Sequence, residues 1–421
     1  MKSFLLAPCQ GPSVVLPVNW PGRRPGPHVA PLAAEESDGA GYPWAGRYAK
    51  LIDAITAQVE LSAVWPAAFV ESSIEGTNLG RTKLKRWILA IADDLTGALE
   101  VGAKFAGFGV PATVTTVRDV AAPPTTRVLV IDTETRHLSA HDAVAAIQSL
   151  ANAACRAGPW LVYKKTDSTL RGNIAAELRA LLDVWPDRRI VFSGAYPALG
   201  RTVRNGQLLV HGMPVHETEF AADPLNPVTA SSIQAILAGL PATVLDGESD
   251  GDVIAAASQV LQEVPTPISA GPAALAGALA GNLGDRDEPC LLPQLNRILV
   301  VNGSRHPGSR AQIEYARSHG LFSDHWAWFD EVVDGEGMER ALRTGERVRQ
   351  RLESSTFDAL VVFGGDTAFG VHRALGSPQF ESICEIVPGA PLSRSASLHW
   401  ITKAGGFGTP DLLCEIRKRL S

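Results

Sequence analysis

The order of apolar and polar residues along the chain predicts strands that alternate with helices. From residue 86 onward, short apolar runs such as WILAIA and VLVID end in polar residues. Between such runs, segments such as 141–158 carry apolar residues at helical spacing. This alternation predicts an α/β fold, in which a mostly parallel sheet is covered by helices on both faces.

The same alternation of predicted strands and helices occurs in two regions, which predicts two α/β domains. The first predicted domain covers residues 85–281, and a stretch without periodicity at 282–296 is the predicted linker. The second covers 297–421, where RILVVNGS and FDALVVFGGDT are predicted to be strands that run into turns. Residues 1–84 hold many prolines and glycines, and we expect an N-terminal extension that is partly disordered.

Five loops are the candidates for function, because ligands of an open α/β sheet bind beyond the carboxyl ends of its strands. We expect the functional residues of both regions in these loops. They are 92–97, 164–173 and 196–202 in the first region, and 302–305 and 364–367 in the second.

The loop after the first strand carries two adjacent aspartates, Asp93 and Asp94. Asp94 or Thr96 is expected to cap the following helix, because a side-chain oxygen there accepts a hydrogen bond from a free helical N–H group. Capping accounts for one carboxylate only. Of the pair, one is then a candidate to bind substrate hydroxyls, and the other is a candidate general base or metal ligand.

The stretch VYKKTDSTLRGNI, where a strand meets a helix, adds positive charge and hydrogen-bond donors. Lys165, Ser168 and Arg171 are candidates to bind an anion, and arginine matches a carboxylate with two hydrogen bonds. Alternate strand residues face opposite ways, so at least one of Lys164 and Lys165 is expected to be solvated. Asp167 has a simpler interpretation as an ion-pair partner of Arg171.

The glycine-rich loops of the second region suit a phosphate, because glycine lets backbone N–H groups approach it closely. The candidates are residues 364–367, GGDT, and 403–408, KAGGFG, with tight turns as the alternative. The chain has no GxxxxGK[ST] P-loop, and no GxGxxG motif follows a predicted strand. One region suited to a hydroxy acid and another suited to phosphate together indicate phosphoryl transfer.

Composition and charge narrow the choice of partners. The net charge of −6 disfavours a nucleic-acid partner, which needs a basic surface. Five scattered cysteines without CxxC spacing fit a reducing cytoplasm. No apolar run approaches the ~20 residues of a membrane span, and the first residues make a poor signal peptide.

The loops occur together in an order that resembles the four-carbon acid sugar kinase family. The resemblance covers about residues 88–421 and implies ATP- and Mg²⁺-dependent phosphorylation of threonate, erythronate or a 3-oxo-tetronate. It also implies an N-terminal sugar-acid-binding domain, a C-terminal nucleotide-binding domain and an active site in the cleft between them. The segments that carry it are IADDLTGALEVGAKFAGFGV, DTETR, YKKTDSTLRGNIAAEL, YPALGRTVRNGQLLVHG, VVNGSRHPGSRAQIEYA, VVFGGDTAFGVHRALG and ITKAGGFGTPDLL.

The resemblance implies roles for individual residues. Asp94, Asp93 and Arg171 are the implied catalytic residues, with Arg171 holding the carboxylate and one aspartate acting as base. The residues implied to bind the acid are Asp93, Lys165, Asp167, Ser168, Arg171 and Arg201. The residues implied to bind the nucleotide are Ser304, Gly364, Gly365, Asp366, Thr367, Gly389, Gly405 and Gly406. The base, the metal ligands and the stereoisomer of the substrate stay open.

The chain departs from the family pattern at residues 269–275, which loosen a Gly-Ser-Ala-Gly-Leu motif, and at Gly406, where many members carry asparagine. Residues 1–84 match nothing in the family, so we expect either a true extension or a start codon that was assigned too far upstream. The alternatives are a sensor that binds acid and nucleotide without turnover, a kinase of another short hydroxy acid, and a ligase. A homodimer through an exposed sheet edge or helix face is a further candidate.

Overall fold

The computed structural model describes residues 86–118, 120, 122–223, 225–284, 290–331 and 333–420. The predicted extension over 1–84 lies outside the described residues. Within them, strands and helices alternate over most of the chain. The strands are β1 Ile88–Ala92, β2 Ala112–Thr115, β3 Val128–Asp132, β4 Leu161–Lys165, β5 Ile190–Ser193, β6 Arg201–Arg204, β7 Gln207–Val210, β8 Met213–Pro214, β9 Ala242–Leu245, β10 Ile268–Gly271, β11 Ile298–Asn302, β12 Trp326–Trp328, β13 Ala359–Phe363, β14 Phe380–Val387, β15 Ala390–Ser395 and β16 Leu398–Lys403.

Most of the helices cross between parallel strands, and several begin at capping side chains. Ser139, for example, accepts a hydrogen bond from the Asp142 N–H group at the start of the second helix. The helices are α1 Leu95–Gly107, α2 Ala140–Ala157, α3 Ile174–Val184, α4 Ile233–Ile236, α5 Asp250–Gln262, α6 Ala273–Leu283, α7 Pro307–Ser318, α8 Gly337–Ser354, α9 Gly365–Ala374 and α10 Leu412–Leu420.

One large sheet organises the chain, with the strand order β12-β11-β13-β16-β15-β14-β2-β3-β1-β4-β10-β5-β9. Neighbouring strands are parallel from β2 to β9 and from β12 to β16, which confirms the predicted α/β fold with a mostly parallel sheet. Strands β6, β7 and β8 form a separate antiparallel sheet.

The two parallel sets join edge to edge instead of forming two separate sheets. Strand β14 pairs with β2 in antiparallel fashion through Phe380–Val114 and Glu381–Thr113, and β15 links β14 to β16. Helix α1 packs across this join, and a Cβ at Gly102 would stand only 2.2 Å from Oγ of Ser382. A residue without a side chain is therefore needed where α1 approaches β14.

The central strands are buried on both faces, including the two lysines that end β4. Lys164 is fully buried and its Nζ lies 3.0 Å from Oε2 of Glu177 on α3. Lys165 is 5% exposed and donates a hydrogen bond to the Thr166 carbonyl oxygen at 3.0 Å. The prediction that at least one of these lysines is solvated was wrong, because helices cover both faces and each ammonium group has an internal partner.

Strand β1 lies where the chain order of the sheet reverses, with β3 on one side and β4 on the other. A crevice opens at the carboxyl ends of strands at such a point. The loops that follow β1, β3 and β4 therefore meet there.

Candidate functional site

One cavity of about 550 Å³ is lined by loops from both parallel sets. The loops after β1, β3 and β4 form one wall, and the loops after β11, β13 and β16 form the other. Most of the predicted site residues line it. They are Asp94, Asp167, Ser168, Arg171, Arg201, Ser304, Gly364, Gly365, Asp366, Thr367, Gly405 and Gly406.

Three predicted residues lie to the side of the large cavity. Lys165 and Gly389 line a neighbouring cavity of about 30 Å³, which shares Asp94 with the large one. Asp93 lies deeper and is 2% exposed. The structure therefore separates the two adjacent aspartates into a surface position and an interior position.

Asp94 both caps α1 and faces the cavity. Its Oδ1 accepts a hydrogen bond from Gly97 N at 3.0 Å, which confirms the predicted cap. Its Oδ2 accepts hydrogen bonds from Thr96 Oγ1 at 2.8 Å and from Arg136 Nη1 at 2.9 Å. The capping and functional interpretations thus apply to the same residue, and the helix holds this carboxylate in a fixed orientation.

Asp93 is fully engaged by Arg136, a residue that sequence reasoning did not select. The guanidinium donates from Nε and Nη2 to the two carboxylate oxygens, each at 2.8 Å. Burial alone would raise the pKa of Asp93, but the charges of Arg136 and Lys164 lower it to about 2. Arg136 follows β3 in the DTETR segment, and its position after a strand was the signal that could have identified it.

Glu134, in the same segment, is a second functional candidate that sequence reasoning missed. Its Oε1 accepts a hydrogen bond from Leu95 N at 3.1 Å, at the start of α1. Burial, together with the nearby carboxylates of Asp132 and Asp94, raises the pKa of Glu134 to about 10. This environment therefore favours the protonated, neutral form of the Glu134 carboxyl.

Arg171 is bound by carboxylates of the protein itself. It donates from Nε and Nη2 to Asp167 at 3.0 and 2.8 Å and from Nη1 to Asp223 at 3.0 Å. The predicted pair of Asp167 and Arg171 is confirmed. Despite burial, Arg171 and Arg136 hold the pKa of Asp167 well below its usual range.

Arg201 is a buried basic residue of the cavity with unused hydrogen-bonding capacity. It is 7% exposed, and Nη1 donates to the carbonyl oxygen of Leu199. Its buried Nε has no hydrogen-bond partner. Arg201 forms no ion pair with a carboxylate of the described residues. The guanidinium lies 5.9 Å from the ring of Phe220 and 6.0 Å from the ring of Phe407, and Arg171 lies 5.4 Å from the ring of Phe220.

The opposite wall presents the start of helix α9 to the cavity. Gly364 has φ 102°, which glycine adopts readily, and the helix begins at Gly365. Free N–H groups at a helix start favour an anion. Asp366, in the first turn, lies 3.7 Å from Nε2 of His137 across the cavity.

Family models match both parts of the chain. A sugar-binding N-terminal domain matches residues 88–242, and a nucleotide-binding C-terminal domain matches residues 330–413. A D-threonate kinase of Salmonella typhimurium is 30% identical to this chain, and the match covers 78% of this chain and 97% of that kinase. The chain belongs to the four-carbon acid sugar kinase family.

A second relative supports this membership, and a solved structure supports the fold. A D-threonate kinase of Bordetella bronchiseptica is 32% identical to this chain, and the match covers 78% of this chain and 96% of that kinase. The solved structure of the Haemophilus influenzae protein HI1011 has a TM-score of 0.61 at 18% identity, and the match covers 79% of this chain and 100% of that one. This structural likeness shows the fold alone.

Membership in the acid sugar kinase family makes the chain a phosphotransferase with an alcohol group as acceptor. The nucleotide-binding domain fits a nucleotide as the phosphoryl donor. Among the helices that the structure describes, none is both long and apolar enough to cross a membrane.

Proposed function

We propose that this acid sugar kinase transfers the γ-phosphoryl group of ATP to a hydroxyl of a four-carbon acid sugar. The observation that supports this most is the shared cavity, in which aspartate and arginine side chains of one wall face glycine-rich loops of the other. In such a site, catalysis comes mainly from positioning and from neutralising charge.

The carboxylate of the substrate is proposed to bind at Arg201. Arg201 lines the cavity and forms no ion pair with a carboxylate of the described residues, and a bound carboxylate would compensate a guanidinium whose pKa burial lowers. Arg171 is proposed to assist chiefly through its charge, because Asp167 and Asp223 already accept hydrogen bonds from all three of its guanidinium nitrogens.

Asp94 is proposed as the general base, in preference to Asp93. Both oxygens of Asp93 are bound by Arg136 and the residue is buried, whereas Asp94 lines the cavity. Asp94 would orient the attacking hydroxyl and accept its proton as the phosphoryl group is transferred.

The nucleotide phosphates are proposed to bind the start of α9, Ser304 and the loop with Gly405 and Gly406. Backbone N–H groups there suit phosphate oxygens, because glycines allow close approach. Bound Mg²⁺ would neutralise charge on the phosphates. No group of three or more His, Cys, Asp or Glu residues suited to a metal ion occurs in the described part of the chain, so Mg²⁺ is proposed to arrive with ATP.

D-threonate is the first substrate to test, because two relatives that span the domain pair are named for it. L-threonate, D-erythronate and the 3-oxo-tetronates are the other candidates. A coupled assay of ADP release with Mg·ATP and each acid tests the proposal, and turnover with at least one acid is expected. Formation of AMP and an acyl conjugate would indicate a ligase. ATP binding without turnover on any acid would favour another hydroxy acid or a sensor.

A further inference from the structure

The loop 404–408 lines the cavity, and two of its carbonyl groups accept hydrogen bonds from buried side chains. The carbonyl oxygen of Gly405 accepts hydrogen bonds from Ser309 Oγ at 2.7 Å and from Lys403 Nζ at 2.9 Å. The carbonyl oxygen of Phe407 accepts one from the same Nζ at 2.9 Å. Lys403 therefore donates hydrogen bonds to two carbonyl groups of the same loop.

The opposite ends of these peptide groups face the other way. In a trans peptide the C=O and N–H bonds point in opposite directions, so the Gly406 N–H group points away from Lys403. Gly406 itself lines the large cavity. An N–H group held outward from a glycine loop is a donor suited to a phosphate oxygen.

The geometry around Lys403 is that of a charged ammonium group. Its three donors meet three acceptors, the two carbonyl oxygens and Ser309 Oγ at 3.3 Å. The residue is 1% exposed, and Nζ lies 4.7 Å from the centre of the Phe363 ring. No carboxylate of the described residues forms an ion pair with it, so its charge is uncompensated within this part of the chain.

We propose that Lys403 is a positioning residue of the nucleotide site, which holds the 404–408 loop with the Gly406 N–H group toward the phosphates. Its buried charge, uncompensated in the free protein, is compensated by the phosphates when the nucleotide binds. The inference rests on the proposed function, because it needs a nucleotide in this cavity.

Nucleotide binding is therefore coupled to protonation. Burial lowers the pKa of Lys403 to about 7 in the free protein. Phosphates beside the loop raise that pKa, so the protein takes up a proton when the nucleotide binds above pH 7. His306, at the start of α7, is the titratable group that faces the same loop, and burial and the charge of Lys403 lower its pKa. Bound phosphates raise the pKa of His306 as well, so the Lys403→Met variant, which retains His306, separates the uptake by Lys403 from any uptake by His306.

Calorimetric titration of the full chain with Mg·ADP tests the inference. At pH 8, in buffers of different ionisation enthalpy, we expect uptake approaching about one proton per ADP bound. Lys403→Met should weaken ADP binding at pH 7 at least about tenfold and abolish the uptake. Lys403→Arg should retain most of the affinity but show no uptake, because arginine stays charged.

Lys418→Met, which removes an exposed lysine of α10, is the matched control and should change neither quantity. If Lys403→Met does not fold, the wild-type uptake and Ser309→Ala still decide. Ser309→Ala removes one support of the Gly405 carbonyl, so a loss of affinity of about threefold is expected. Unchanged ADP affinity in a folded Lys403→Met protein would overturn the positioning role of Lys403, and ADP binding by the wild type without proton uptake would overturn its coupling to protonation. Absence of ADP binding by the folded wild type would overturn the proposed function itself.

Discussion

The carboxylate of Asp94 lies beside Gly365 across the cavity, with room for little more than one methyl group between them. A Cβ built on Gly365 would stand 3.4 Å from Oδ2 of Asp94, an ordinary van der Waals distance. Asp94 belongs to the sugar-binding half, and Gly365 begins α9 in the nucleotide-binding half. The proposed base and the proposed phosphate loop therefore lie close enough for a hydroxyl at Asp94 to face a phosphate at α9.

Gly365→Ala should lower kcat about 10–100-fold and leave the stability of the fold unchanged. The added methyl group meets Asp94 Oδ2 at 3.4 Å and Thr96 Oγ1 at 3.5 Å, so the backbone tolerates it. It nevertheless fills space between the base and the phosphate loop. Steady-state kinetics with thermal unfolding measure both effects.

Gly251→Ala is the matched control for that variant. Its Cβ would meet Ser249 Oγ at 3.5 Å in α5, a comparable contact in a helix that contributes no residue to the lining of the large cavity. Its kcat should equal that of the wild type. A Gly365→Ala enzyme with wild-type kcat would show that the space beside Asp94 is not used in the reaction.

Asp94→Asn should lower kcat about 10²–10⁴-fold while the affinity for ATP stays nearly the same. Asparagine keeps the cap of α1, because it is as good an N-cap as aspartate, but it does not accept a proton. Single-turnover kinetics and ATP titration separate the two quantities. Surviving turnover would refute the assignment of Asp94 as the base.

The sequence predicted the loops of the site better than the contacts between them. Apolar strands that end in polar residues identify Asp94, Arg171 and the 364–367 loop, because this pattern is local. Arg136 and Glu134 were missed, since their partners follow from the strand order β3-β1-β4. A single sequence does not encode which strands become neighbours.

The join between the two parallel sets of the large sheet was missed for a related reason. Strand β14 pairs with β2, which lies more than 260 residues earlier in the chain. Its residues alternate between buried and partly exposed positions, so no strong apolar run marks it. The burial of Lys164 also depends on a distant partner, Glu177, that supplies the opposite charge.

Arg201→Gln should raise KM for the acid sugar about 10–100-fold with little change in KM for ATP. The reason is the loss of a guanidinium that lines the cavity and that no carboxylate of the described residues neutralises. Arg171→Gln is the informative comparison. It should chiefly lower stability, by about 3 kcal/mol, because it leaves the buried Asp167 carboxylate without its main partner. If Arg171→Gln alone raises KM for the acid, the carboxylate binds at Arg171 instead.

Glu134→Gln should make the protein less sensitive to alkaline pH. Folded Glu134 keeps its proton up to a pKa of about 10, while the unfolded residue ionises above its ordinary value of 4.5. The folded state thus binds more protons in this window, so this residue's contribution to the free energy of unfolding falls as pH rises. Glutamine retains an acceptor for Leu95 N and has no such dependence. Denaturant unfolding at pH 6 to 9 should show the free energy of unfolding of the wild type falling relative to that of the variant, by up to about 1.4 kcal/mol per pH unit. Glu248→Gln, at an exposed carboxylate whose pKa Arg204 lowers, should follow the wild-type slope. Equal slopes for Glu134→Gln and the wild type would mean that Glu134 is already ionised in the folded protein.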